Sequence, residues 1–146
     1  MTDHKGLPSS IALPDGRLVR GRGLRNPTPA GPAPDFGLYL GTHRLRGKHG
    51  TGITWPADWI DWPDFLLPRD RTSAVAKIRD LYERAGTSAV EVACGGGRGR
   101  TGTVVACLAI LGGVAPRDAV AWTREHYDRH AVETPWQRRW VERFPG

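Results

Sequence analysis

The chain has 146 residues, 39% of them hydrophobic, enough for one ordinary domain with a core and too many for a disordered chain. It carries 21 Lys+Arg against 15 Asp+Glu, a formal net charge of +6, which reads either as an ordinary basic domain or as attraction to phosphates, without choosing among protein, nucleotide, lipid and nucleic acid carriers. Two cysteines exclude a disulfide scaffold, "MTDHKGLPSS" holds no apolar signal core, and the longest apolar run, Val104–Ala115, is too short to span a bilayer; the expectation is a cytoplasmic protein with reduced thiols and no membrane span.

Residues 1–35 hold many of the prolines and glycines. "IALPDGRLV" (Ile11–Val19) predicts two short strands around a Pro-Asp-Gly turn. "NPTPAGPAPD" (Asn26–Asp35) is too proline-rich for a helix or a central strand. "FGLYLG" (Phe36–Gly41) predicts a strand, and the polar, basic, glycine-rich "THRLRGKHGTG" that follows predicts a loop. "ITWPADWIDW" (Ile53–Trp62) is strand-like, with Pro56 breaking it.

The period then changes. Ala74, Val75, Ile78, Leu81, Tyr82 and Ala85 recur at helical spacing from Thr72, and Gly86 fits the stop. "SAVEVA" (Ser88–Ala93) predicts a short buried strand, and Thr101–Leu111 is apolar nearly all round, as in a central helix. Pro116 starts a third helix expected to reach about Arg129, and Thr134, Pro135 and Gln137 start a fourth. There is no internal repeat. The order predicts an α/β fold: one domain over residues 1–146, with a small mixed sheet of parallel core strands flanked by helices in three layers. Strands at Trp59–Trp62 and Ser88–Ala93, read as parallel neighbours joined by the 72–85 helix, would end on one edge of the sheet. Their following loops would face each other there, where α/β folds place ligands.

One of those loops is "CGGGRGRT", Cys94–Thr101. Strand, glycine-rich turn and helix make an anion cradle, because backbone N–H groups converge and the helix N-terminus adds positive potential. The bland alternative is a tight connection that binds nothing. A dinucleotide fingerprint can be forced on Gly97–Gly102, but it sits too late in the chain and only helices follow. The nucleotide P-loop pattern fails where Cys94 stands for its first glycine and Arg100 for its lysine. Those two mismatches define a third pattern, C-x5-R-[ST].

In that pattern Cys94 is a nucleophile rather than a core residue, placed at the mouth of an amide nest beside arginine and a helix N-terminus. Amides of Gly95, Gly96, Gly97, Arg98 and Gly99, with the fork of Arg100, would hold phosphoryl oxygens. The thiolate would attack phosphorus in line, forming a phosphocysteine, and Thr101 could donate to Cys94 and ease its departure. A leaving alkoxide needs a proton donor. In "WIDWPDFLLPRD" Asp64 is best placed, just past the strand end, with Asp58, Asp61 and Asp70 as rivals that could equally be surface or capping residues.

With these residues in view the sequence resembles the cysteine-based protein tyrosine phosphatases, including the small dual-specificity members. "ACGGGRGRTGT" looks like their signature loop, "WPDFLLP" (Trp62–Pro68) like their mobile general-acid loop, and "AVETPWQRRWVERF" (Ala131–Phe144) like the C-terminal segment whose glutamine orients the hydrolytic water; together they cover about residues 53–144. The resemblance implies Cys94 as nucleophile, Arg100 as phosphate clamp and Thr101 as the aid to thiolate departure. It also implies Asp64 as general acid then base, Gln137 as water positioner, and no metal or other cofactor. His126 and His130, at i and i+4, could ligate zinc but bring no further ligands with them.

Departures from the family pattern bear on reactivity and substrate. Ala93 stands where many members have histidine, Leu66 where the acid loop has glycine, and Arg98 at a loop position often apolar in protein phosphatases. A substrate-recognition loop with tyrosine is not found, and Tyr39 and Trp55 are candidate pocket walls. Thr134–Gln137 also forms a capping box, which alone would explain Gln137. Cys107 reads as core, with disulfide trapping of Cys94 as the sharper alternative. The expected partner is phosphotyrosine in protein, with inorganic phosphate or another oxyanion at the loop and nucleic acid disfavoured. The alternatives are a phosphoinositide or nucleotide/RNA phosphatase, favoured by Arg98 and the basic charge, and a phosphate-binding module with little turnover, favoured by Ala93 and Leu66.

Overall fold

The computed structural model describes residues 6–146; Met1–Lys5, half of the stretch read above as lacking a signal core, lie outside the described residues. Five strands form one sheet in the order β1-β2-β5-β3-β4: β1 Ile11–Ala12, β2 Leu18–Gly23, β3 Phe36–Gly41, β4 Ala57–Asp61 and β5 Val90–Cys94. The β1–β2 hairpin is antiparallel, with Ile11 opposite Val19, and every other pairing is parallel. The helices are α1 His43–His49, α2 Arg71–Ala85, α3 Gly99–Leu111, α4 Ala119–His126 and α5 Pro135–Glu142.

The α/β architecture is as the sequence predicts, with three corrections. The strands before and after α2 are not neighbours, because β3 lies between them. All six residues of β3 are buried, as a strand covered on both faces requires, whereas β4 shows the mixed exposure of an edge. The stretch read as a loop after β3 contains α1 and a 3-10 turn at Gly50–Gly52. That helix buries no residue fully, so it left no apolar stripe to read; its last turn carries Arg46, Lys48 and His49, which suit the negative end of the helix dipole. The third helix is broken into a 3-10 turn at Pro116–Asp118 and the shorter α4.

Side-chain alternation sorts the sheet into two faces. Val19, Leu38, Leu40, Ile60, Val90 and Val92 join the helices in the main core, where Trp62 is wholly buried against Trp140, ring centroids 5.7 Å apart. α3 runs through this core with twelve buried positions and packs on α2, α4 and α5. The other face carries a smaller cluster of Leu24, Tyr39 and Ala93, covered by Leu45 of α1 and by Ile53, Trp55 and Trp59. Among the described residues no helix is long and apolar enough to cross a membrane.

Candidate active site

The parallel register brings the ends of β4 and β5 to one edge, although β3 separates them: Gly41 is opposite Asp61, and Tyr39 opposite Ala93. The loop after β4 (residues 62–70) and the loop after β5 (residues 95–98) therefore meet above β3, as the edge argument predicts. Arg100, in the first turn of α3, joins them. Its Nη1 donates to Trp62 O (3.0 Å) and Leu40 O (3.3 Å), and its Nη2 lies 3.5 Å from Asp64 Oδ1.

Cys94 ends β5 and is buried, and the Gly97 N–H donates to its Sγ at 3.2 Å. Gly97 has φ +79°, and a Cβ there would stand 2.6 Å from the backbone N of Gly23, so both conformation and space demand glycine. At Gly95 the obstacle is a side chain: a Cβ would lie 2.8 Å from Cζ of Arg25. The loop is held from below by Tyr127, whose hydroxyl donates to Gly97 O at 2.5 Å. Burial, with the charges of Cys94 and Asp128, pushes the Tyr127 pKa well up, so the hydroxyl keeps its proton for that bond.

Two polar atoms here are buried without a partner, Arg100 Nε and Thr101 Oγ1. Buried polar groups are normally paired, and these two lie on the first turn of α3, next to the loop, free to donate to an anion there. The arrangement can hold an anion against loop amides and a guanidinium, with a thiol beneath and a carboxylic acid opposite.

The acid loop is pinned on several sides. Trp62 Nε1 donates to Leu66 O (2.8 Å), Trp136 Nε1 to Phe65 O (2.6 Å) and Gln137 Nε2 to Leu66 O (3.3 Å). Phe65 sits at φ +61°, and its N–H donates to Asp64 Oδ1 at 3.0 Å. The rivals of Asp64 are engaged elsewhere. Asp58 pairs with Lys77 (3.2 Å), Asp61 with Arg69 (3.1 Å), and Asp70 caps α2 by accepting from Ser73 N–H (3.0 Å). Asp61 and Asp70 line a separate cleft of about 270 Å³ that reaches neither Cys94 nor the loop after β5.

Gln137 is buried at the start of α5: its N–H donates to the N-cap Thr134 Oγ1 (3.1 Å), and its Oε1 accepts from the Glu133 N–H (3.0 Å), one residue before the N–H that a capping box would use. Arg98 turns to the opposite flank, toward Asp128 at 3.9 Å, and lines a hollow with Arg20, Arg22 and Tyr127. Tyr39 and Trp55, read as pocket walls, instead belong to a buried network. Glu91 accepts from Arg20 (2.7 and 3.0 Å), Arg22 (2.9 and 3.0 Å) and Tyr39 (2.6 Å), and Trp55 donates to Tyr39 (2.7 Å). Cys107 is buried in α3, and burial pushes its thiol pKa up. His126 stacks on Trp122, and among the described residues no cluster of three His, Cys, Asp or Glu could hold a metal.

Tyr127 and Arg25, which touch the loop, and Glu91, which is buried in the sheet beneath it, are residues that sequence reasoning missed. The sequence signal for Glu91 was present: a lone acid inside an apolar strand, with Arg20 and Arg22 alternating on a neighbouring one.

No curated protein matches the chain. Its fold is similar to that of Tk-PTP in its active form, with a TM-score of 0.70 at 22% identity, covering 94% of this chain and 96% of that one. Kinase associated phosphatase, with its catalytic cysteine changed to serine, gives 0.60 at 18% identity over 72% of this chain and 65% of that one. PTPMT1 in complex with PI(5)P gives 0.56 at 16% identity over 75% and 74%. A sequence model described as PTP-SAK, Swiss Army Knife protein, DSP-PTPase phosphatase domain, matches residues 68–142, a little over half of the chain. The chain belongs to this family of DSP-PTPase phosphatase domains.

Proposed function

We propose that the chain is a metal-independent phosphomonoester hydrolase that works through a phosphocysteine. One constellation carries this reading: a buried thiol facing a loop amide, beneath a buried arginine that reaches to Asp64. In the first step the Cys94 thiolate attacks phosphorus, an S–P bond forms and the ester P–O bond breaks. Protonated Asp64 gives its proton to the leaving oxygen. Arg100 and the amides of residues 95–99 bear the charge of the transferring phosphoryl group. In the second step water attacks phosphorus and gives its proton to the Asp64 carboxylate. The S–P bond breaks, phosphate leaves and the thiolate returns, with Thr101 donating to the departing sulfur.

Gln137 is assigned to position that water. Its Nε2 is bonded to Leu66 O on the acid loop, and positioning requires that bond to be exchanged for the water. Arg98 contributes its backbone amide to the loop.

Two substrate readings meet at this site. Phosphotyrosine in protein, with or without phosphoserine and phosphothreonine, is the expectation from the family resemblance. A polyanionic phosphoinositide or nucleotide is favoured by a specific observation, the basic lining of the cleft around Asp64 and Arg100. Among proteins of similar fold, PTPMT1 is seen with PI(5)P.

Hydrolysis of p-nitrophenyl phosphate in reductant and EDTA tests the reaction class. Turnover between pH 5 and 7.5, blocked by vanadate, is expected. No turnover across that range would leave a phosphate-binding module.

A further inference from the structure

The cleft that contains Asp64 and Arg100, about 190 Å³, is lined besides by Arg25, Thr42, Arg44, Leu45, Lys48 and His49. Asp64 is its one acid, and it faces Arg100. Among the described residues none of Arg25, Arg44 and Lys48 has a carboxylate within 4.0 Å. These cations come from two separate segments, the turn after β2 and helix α1, brought together at the loop mouth.

Basic side chains on a surface are usually no more than a solvated face, and two observations set this group apart. Arg25 is fixed against the catalytic loop: its own N–H donates to Gly95 O at 3.1 Å, and its guanidinium fills the space a Cβ at Gly95 would need. His49 Nε2 is buried without a partner, and burial with the charges of Lys48, Arg25 and Arg22 holds the His49 pKa below its ordinary value. Like charges gathered without a counter-charge repel one another, and an anion among them relieves that repulsion.

We propose that Arg25, Arg44, Lys48 and His49 form a second phosphate subsite beside the catalytic loop, so that the substrate is a small phosphomonoester bearing a further phosphate. This rests on the hydrolase reading above and adds to it the chemistry of the group flanking the reacting phosphate. The phosphate to be hydrolysed sits over Cys94 on Arg100, and the second lies toward α1. Arg98, on the far flank, takes no part. A flat phosphotyrosine side chain brings no charge for these four residues.

Binding to the Cys94→Ser protein tests the subsite without turnover. The probes are adenosine 3′,5′-bisphosphate against adenosine 5′-monophosphate, and myo-inositol 1,4-bisphosphate against myo-inositol 1-phosphate, by calorimetry at low salt. On at least one scaffold the bisphosphate is expected to bind about tenfold tighter or better, about 1.4 kcal/mol. That advantage should shrink as salt is raised and collapse when Arg44→Gln and Lys48→Gln are added. In the wild-type enzyme the same pair of changes should lower kcat/KM for the bisphosphate far more than for p-nitrophenyl phosphate. Vesicles containing phosphatidylinositol 4-phosphate separate the sources: tighter binding than the free inositol bisphosphate points to a lipid headgroup, and equal or weaker binding to a soluble metabolite. Equal affinity within both pairs would overturn the subsite, as would a phosphotyrosine peptide that binds at least as tightly as either bisphosphate. A wild type inactive on every phosphomonoester would instead overturn the hydrolase reading, and the binding contrast would still decide the subsite.

Discussion

Arg100 Nη2 lies 3.5 Å from Asp64 Oδ1, so the side chain proposed as the phosphoryl clamp and the side chain proposed as the general acid face each other across the cleft. Asp64→Asn keeps the shape and removes the proton. We expect kcat to fall by about 10²–10⁴ for an alkyl phosphate, whose leaving group is poor, and by much less for p-nitrophenyl phosphate. Asp58→Asn and Asp61→Asn should leave both rates near wild type, since those carboxylates serve Lys77 and Arg69. A comparison of the two substrates across the three variants checks the assignment.

The acid loop hangs from α5 by Trp136 on Phe65 O and Gln137 on Leu66 O. Gln137→Ala removes the second of these bonds and the one its Oε1 accepts from Glu133 N–H, and keeps the Thr134 cap on its own N–H. It is expected to destabilise the protein by about 1 kcal/mol or more, the net worth of a lost hydrogen bond. If the glutamine also positions water, the second chemical step slows and phosphocysteine accumulates in rapid-quench experiments. A drop in stability with no accumulation would assign Gln137 to capping and loop anchoring alone.

Tyr127 holds Gly97, the one loop residue at positive φ whose N–H faces the sulfur. Tyr127→Phe keeps the ring that packs over Gly21 and leaves a buried carbonyl unpaired, a loss of about 1–3 kcal/mol. With the loop less firmly held, kcat for p-nitrophenyl phosphate is expected to fall about tenfold, the effect of about 1.4 kcal/mol on a barrier. Chemical denaturation and steady-state kinetics on the one variant measure both.

The sheet under the site depends on Glu91. Removing its charge by Glu91→Gln strands Arg20 and Arg22 in the interior, a loss of about 3–5 kcal/mol. Burial alone would raise the Glu91 pKa, but the bonds from Arg22, Tyr39 and Arg20 outweigh it and hold the carboxyl below its ordinary 4.5. Because the folded value is depressed, the stabilisation is full above about pH 4.5 and is lost as pH falls through the lower folded value. The stability gap between wild type and Glu91→Gln should therefore narrow below pH 4.5.

Much of this was legible in the chain, and the parts that were not share a cause. Phe36–Gly41 was read to the residue because an unbroken apolar run between turn signals has few other fates. Cys94, Arg100 and Asp64 meet at one edge because β4 and β5 run parallel, which the sequence order implies, although β3 lies between them. Helix α1 was lost because Gly47 and its charges mask a helix that packs by little more than Leu45. Residues that act by long-range contact, such as Arg25 against Gly95 and Tyr127 under Gly97, carry no local pattern at all. Arg98 shows the converse: its place in the loop pattern pointed to the substrate, while its side chain points to Asp128.

The central claim is that Cys94 carries the phosphoryl group. Acid-quenched turnover of a ³²P-labelled phosphomonoester measures this directly. Label bound covalently to wild-type protein, at up to one phosphoryl per chain, is expected, with neither label nor turnover in Cys94→Ser. Turnover that persists in Cys94→Ser, or that proceeds in wild type with no labelled protein at any time, would contradict it.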